Sequence, residues 1–282
     1  MKFVTDWLKS HWLELSVLVI LLAFPFIVQL ITGDSPYGVA RGSRMVMRGQ
    51  SVLWQAILIR VFSLAILVMS YNLMLGFTGV ISFGHALFFG LGGYILAMMA
   101  EFSGLDPNLS LALSVIIILV VNGLLGLLVG FVSLRLRGVY FAIFTLAIAE
   151  MGWLFFRGFG PTNGEDGLDI ANLPLWIDPA RNRIAVYYIG LMLFVLTYVI
   201  IKRIVNSPSG TVFKAIRENE ERAQALGYDT LRYKLLSITV AGMLASLGGM
   251  LFAILDKAAR PEILGVGITV DALLMTIIGG VG

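Results

Sequence analysis

Residues 109–133 read LSLALSVIIILVVNGLLGLLVGFVS, without one Asp, Glu, Lys or Arg. A helix needs about 20 apolar residues at about 1.5 Å each to cross about 30 Å of hydrocarbon, and this stretch is long enough. Six further segments come close: 15–31, 53–75, 80–100, 139–156, 184–201 and 235–255. An eighth begins near Ile268 and reaches Gly282 after only 15 residues, so an incomplete last helix is expected. Lipid cannot satisfy backbone amides and carbonyls, and the alternation of a barrel strand is absent, so the segments are helices. The expected fold is all-α: a polytopic integral membrane protein of about eight transmembrane helices, a single domain over 1–282.

Composition agrees. Of 282 residues, 59% are hydrophobic and 13% charged, about half the roughly 25% charge of a soluble domain, which excludes a soluble globular enzyme. The absence of cysteine excludes disulfides, thiolate metal sites and a cysteine nucleophile. His11 and His85 are too far apart for a local metal motif. The net charge of +3 reads as loop asymmetry, since no basic run has interleaved aromatics; no nucleic-acid partner is expected, and membrane lipid is.

The first segment follows Lys2 and Lys9, but Gln29-Leu30-Ile31-Thr32-Gly33 is no cleavage site, so a retained anchor is expected. Loop 202–234 holds Lys202, Arg203, Lys214, Arg217, Arg222, Arg232 and Lys234, and the 134–138 link holds Arg135 and Arg137. Both fall inside if the N-terminus is cytoplasmic. The acidic loops, with Glu101 and Asp106, then Glu165, Asp166, Asp169 and Asp178, fall outside. The exception is 32–52, external by this count yet carrying Arg41, Arg44 and Arg48; it is either a surface-hugging amphipathic piece or a sign that the first crossing is misplaced. Loop 157–183 is turn-rich and acidic, most simply a solvated connector. Leu91-Gly92-Gly93-Tyr94-Ile95-Leu96-Ala97 echoes Leu247-Gly248-Gly249-Met250-Leu251-Phe252-Ala253. Close helix packing explains the glycine pairs better than a transporter repeat does, and Gly126-Leu127-Leu128-Val129-Gly130 is a further small-residue face for helix or subunit contact.

The most informative stretch is the 202–234 loop. Ser207-Pro208 starts a helix, because Ser caps free amides and Pro sits where no donor is needed, and Gly227 stops it in a left-handed turn. Between them Val212, Ile216, Ala223 and Leu226 form an apolar stripe. Lys214/Glu218, Arg217/Glu221 and Glu218/Arg222 are spaced for ion pairs along one helix. The stripe must pack on this chain's own helix ends, on lipid, or in a partner's groove.

Glu221-Arg222-Ala223-Gln224-Ala225-Leu226-Gly227 resembles the Glu-Ala-Ala-x-x-x-Gly loop of ABC importer permeases, with Arg222 where that pattern has its first Ala. Lys214-Ala215-Ile216-Arg217-Glu218-Asn219-Glu220, then Ala223, Gly227 and Arg232-Tyr233-Lys234-Leu235, is similar to the permeases of branched-chain amino-acid importers. Three more blocks carry the resemblance: Tyr71-Asn72-Leu73-Met74-Leu75-Gly76-Phe77-Thr78-Gly79 with Ser82-Phe83-Gly84-His85-Ala86; Arg135-Leu136-Arg137-Gly138-Val139-Tyr140-Phe141-Ala142 with Thr145-Leu146-Ala147; and Ile278-Gly279-Gly280-Val281-Gly282. It covers roughly residues 50–282.

The resemblance implies an inner-membrane permease subunit forming half a pore with a second permease. It further implies two separate ATPases and a periplasmic or surface substrate-binding protein. No GxxxxGK[ST] loop is present, so this chain is not expected to cradle ATP itself. The resemblance implies that ATP belongs to a partner and that this chain is a transport subunit with no cofactor or enzymatic activity of its own. The coupling loop, 202–234, would act through Lys214, Ala215, Arg217, Glu218, Glu220, Glu221, Ala223 and Gly227. Closely similar permeases serve urea and short amides.

Polar groups at membrane depth are costly and become candidates for the translocation pathway: Asn72, Thr78, Ser82, His85 and Glu150. The plainer reading of His85 is a neutral imidazole fixing the 76–79 turn, and of Glu150 an interhelix pair, with Arg60 one candidate. A stand-alone proton- or sodium-coupled carrier would use His85 and Glu150 as a relay but leave the charged loop without a role.

Overall fold

A computed structural model describes residues 12–41, 44–133, 136 and 138–282. Lys2, Lys9, His11, Arg135 and Arg137 lie outside the described residues, as do the side chains of Arg41 and Arg44. Among the described residues, seven helices are long and apolar enough to cross a membrane: α1 (Trp12–Thr32), α2 (Gln50–Asn72, prolonged by a π-turn, Leu73–Phe77), α3 (His85–Phe102), α4 (Pro107–Ser133), α5 (Val139–Gly158), α6 (Arg183–Val205) and α9 (Thr230–Asp256). Between α6 and α9 lie two short helices, α7 (Pro208–Glu218) and α8 (Glu220–Ala225), and the described chain closes on α10 (Val266–Gly279). The all-α polytopic expectation holds. Within segment 32–52 an antiparallel hairpin forms from β1 (Val39–Arg41) and β2 (Arg44–Val46).

The centre of the bundle is α9, set between α2, α3 and α4. Its echo of α3 is a packing device. A Cβ at Gly92 would overlap the Ser246 carbonyl oxygen, and one at Gly249 would overlap that of Phe89. The two helices run side by side in the same direction with backbones touching, the close approach that small residues permit in lipid. On the opposite flank, Gly126 meets Thr239 and Gly130 meets Leu235, so that small-residue face is also internal to this chain. Ser63 of α2 donates to the Gly248 carbonyl at 2.8 Å.

Helix α1 joins by a different route. Pro25 has no amide proton, which frees the carbonyl one turn earlier, at Leu21. Tyr187 of α6 donates to that oxygen at 2.6 Å, and Tyr188 to Leu22 O at 3.1 Å. The exposed Leu13, Val17, Val19, Ile20 and Leu22 suit a surface facing hydrocarbon.

Loop 157–183 is not the solvated connector expected. Its strand β3 (Leu168–Asp169) pairs with β4 (Ala258–Ala259), and Ile170 N donates to Lys257 O at 2.7 Å. Leu168, Ile170, Leu173 and Ile177 are buried, and Lys257 reaches Asp178 at 3.2 Å. After β4 the chain dips back as a short turn, Pro261–Leu264, whose Ile263 and Leu264 lie against Gly93 and Gly90 near the middle of α3. Helix α10, Val266–Gly279, therefore starts part-way through the bundle. The irregular backbone at that depth is covered by α3 and α5, as hydrocarbon requires.

Replacing Gly249 by Leu should cost about 1–3 kcal/mol or more through overpacking, seen as a lower melting temperature of the detergent-solubilised protein. Gly158→Ala, which opens into free space, should leave that temperature unchanged.

Candidate coupling and translocation site

The quoted blocks converge on one end of the bundle, around the non-helical stretch 78–84 that joins the π-turn to α3. Five elements hold it. From α2, Tyr71 donates to Ser82 O at 3.1 Å, and Ser70 Oγ lies 2.9 Å from His85 Nε2. From α9, Ser237 Oγ lies 2.8 Å from Thr78 Oγ1, and both hydroxyls approach Leu73 O, at 3.4 and 3.1 Å. From α5, Thr145 accepts from Phe83 N at 3.1 Å. From α10, Thr269 accepts from Ala86 N at 2.9 Å. From α7, Arg217 Nη1 donates to Gly76 O.

The chemistry is that of a helix end in a poor solvent. The last carbonyls of α2 and its π-turn lack intrahelical donors, and Leu73, Met74 and Gly76 are buried away from solvent. Met74 O takes Val80 N at 3.0 Å and Leu75 O takes Gly79 N at 3.1 Å; Leu73 and Gly76 need side chains.

Four of the five pathway candidates meet here. Asn72 is half-buried and accepts from Gly282 N at 3.1 Å. Thr78, Ser82 and His85 are buried. The His85 ring stands edge-on to Tyr71, 5.3 Å between centroids, and tilted against Phe88 at 6.0 Å. Glu150 is elsewhere, half-buried on α5 more than a turn beyond Thr145 and without an ion pair among the described residues. Arg60 does not pair with it: its partner is Asp256 at 2.5 Å, at the far end of α9.

The 202–234 loop is an elbow, not one helix. Ser207 caps α7, accepting from Gly210 N at 3.4 Å. At Asn219 the backbone leaves the helical region (φ −160°), and the Asn219 side chain caps α8 by accepting from Arg222 N at 2.9 Å. That break moves Arg217 and Glu218 off the helix carrying Glu221 and Arg222, so two of the expected ion pairs do not form among the described residues; Lys214 and Glu218, both on α7, do not pair there either. Glu220 instead pairs with Lys234 at 2.6 Å. Val212, Ile216 and Ala223 are buried together against Tyr233, and Phe213 enters the main core. Leu226 departs from the expected stripe: it is 71% exposed. Gly227, at φ +91°, makes the left-handed stop and leaves Tyr228 exposed beyond it.

Of the loop candidates, Ala223 faces inward, Ala215 and Glu220 are half-buried, and Lys214, Arg217, Glu218, Glu221 and Gly227 are exposed. Lys214 Nζ lies 5.8 Å from the Phe77 ring centroid. Tyr71 and Thr145 stand inside quoted blocks without having been singled out. Ser237 and Thr269 carry no local signal, being isolated hydroxyls in apolar runs.

Tyr71→Phe removes the donor to a buried carbonyl and should cost about 1–3 kcal/mol, read as a fall in melting temperature. Tyr140→Phe, on an exposed ring, should not.

A family model described as the permease component of branched-chain amino acid transport systems matches residues 53–282. The high-affinity branched-chain amino acid transport system permease protein LivM of Salmonella typhimurium is 27% identical, covering 97% of this chain and 64% of its own length. LivM of Escherichia coli K12 is 28% identical, over 77% of this chain and 56% of its own. The autoinducer 2 import system permease protein LsrC of Photorhabdus laumondii is 26% identical, over 67% and 56%. The chain spans less than two thirds of the length of each of these relatives. No solved structure matches it.

Proposed function

The chain belongs to the family of permease components of branched-chain amino acid transport systems, and on that premise we propose that it is one permease subunit of an ATP-driven importer in the bacterial inner membrane. Its cargo is a branched-chain or related hydrophobic amino acid, the substrate class in the names of its LivM relatives. It forms half a pore with a second permease, receives cargo from a substrate-binding protein, and performs no bond chemistry. ATP is hydrolysed on partner ATPases that dock on the α7–α8 elbow, which on this reading faces the cytoplasm with the N-terminus.

The observation that carries this reading is the two-sided elbow. Its inner side, Val212, Phe213, Ile216 and Ala223, is committed to the chain's own helices. Its outer turn presents Leu226 and Tyr228 to solvent among Glu221, Arg222 and Asp229. An apolar tip rimmed by charge suits a groove on a partner. A stand-alone carrier relaying protons from His85 to Glu150 fits less well. His85 is enclosed by Tyr71, Phe88 and Ser70, and Glu150 sits on another helix, more than a turn beyond Thr145.

The test is gentle solubilisation of the tagged chain and identification of what co-purifies. A stoichiometric ATPase is expected. Leu226→Asp, on an exposed side chain, should remove it while leaving the melting temperature unchanged. Gly227→Val should also remove it, since a β-branched residue at positive φ costs about 1–2 kcal/mol and re-aims the turn. A chain that purifies alone, or that keeps its ATPase after both changes, overturns this reading.

A further inference from the structure

Polar ties of two kinds hold the elbow to the membrane helices. One ties α8 to α9, through Glu220 and through Gln224 Nε2, which donates to Thr230 Oγ1 at 2.8 Å; the other ties α7 to more distant elements. Glu220 of α8 meets Lys234 at 2.6 Å and Thr230 at 3.2 Å, both on α9, the element that follows directly in the chain. Arg217 of α7 reaches elements remote in sequence. Its Nη1 donates to Gly76 O in the π-turn that ends α2, and its Nη2 to Val281 O, beyond α10, at 3.4 Å. The backbone at Gly79 packs on its Cα and Cγ. Gly282 N closes the ring by donating to Asn72 Oδ1 at 3.1 Å. The end of α2, the end of α10 and the end of α7 thus meet at one guanidinium.

Arginine suits this place for a physical reason. Its planar fork donates in two fixed directions and stays charged, and a cation is favoured at the C-terminal end of a helix dipole. Apart from Lys214, whose Nζ lies 5.8 Å from the Phe77 ring centroid, the contacts of α7 with the bundle run through Val212, Phe213 and Ile216; these are apolar and non-directional, and resist separation but not sliding. A helix fastened by apolar contact alone could shift across the bundle without moving α2 or α10. The fork prevents that. The π-turn it grips is a local irregularity of a kind often found where helices change shape.

Resting on the importer reading, we propose that Arg217 is the positioning residue that carries displacement of the α7–α8 elbow into α2 and α10. It faces the membrane helices and is no part of the ATPase contact. Through the π-turn, the same movement reaches the 78–84 stretch, with Thr78, Ser82 and His85 at its ends.

The experiment uses the complete transporter, purified with its ATPases and reconstituted in liposomes, with ATP hydrolysis and amino-acid uptake measured in parallel. In Arg217→Met, which keeps the stem and loses the fork, the ATPase should still co-purify and hydrolysis persist. Uptake per ATP should fall about tenfold. Arg217→Lys, with charge but no fork, should fall in between, and it is read by the same ratio if the Met variant does not insert. Arg203→Met, on an exposed arginine at the end of α6, should keep the wild-type ratio. A ratio unchanged in the Arg217 variants, or loss of the ATPase from them, overturns the link while the importer reading stands. A wild-type chain that purifies without an ATPase overturns both.

Discussion

Inside hydrocarbon, a backbone carbonyl released from its helix has no water to turn to, and the whole arrangement of this protein follows from how such groups are answered. The chain interrupts its helices at Pro25, at the π-turn, along 78–84 and between α9 and α10. Each interruption is met by a donor or acceptor from elsewhere: Tyr187 for Leu21 O, Thr78 and Ser237 for Leu73 O, Arg217 for Gly76 O, and strand β3 for the backbone after Lys257. Hydroxyls that look scattered along apolar segments are therefore concentrated in space. They bring α2, α5, α9 and α10 to one loop, which becomes the junction because it is where most helix ends need partners.

The helices themselves were legible because length and apolarity are one-dimensional properties. The elbow's two ends were legible for a similar reason, since Ser207-Pro208 and Gly227 act within a few residues. Its middle was not. Asn219 can lie within a helix or cap the next one, and only the burial of Val212 and Phe213 on one side and Ala223 on the other selects the break. Arg217 and Glu221 are correctly spaced for a pair that a continuous helix would make; Gly76 O, far away in sequence, competes for the same guanidinium and takes it. Arg60 shows the same limit, because its partner Asp256 lies on a helix that no local pattern connects to it. Leu226 fits a stripe by spacing, yet lies after α8 has ended.

Fastening in this structure is of two kinds. Along α3 and α9 the backbones touch at Gly92 and Gly249, and close-packed contact of that kind is intolerant of small displacements. At the junction the contacts are single hydrogen bonds from hydroxyls and one arginine, each with a modest net stabilisation of about 0.5–1.5 kcal/mol, somewhat more where a charge assists.

That difference bears on what the polar candidates could do for a passing solute. Asn72, Thr78, Ser82 and His85 each already make a hydrogen bond to protein, so contact with cargo would first require the junction to open. Glu150 is under no such restriction: it is half-buried and without an ion pair among the described residues. In the sequence these residues are grouped only by their polarity within apolar segments. The fold separates them into a set whose bonds hold the 78–84 loop in place and a single half-buried carboxylate on another helix.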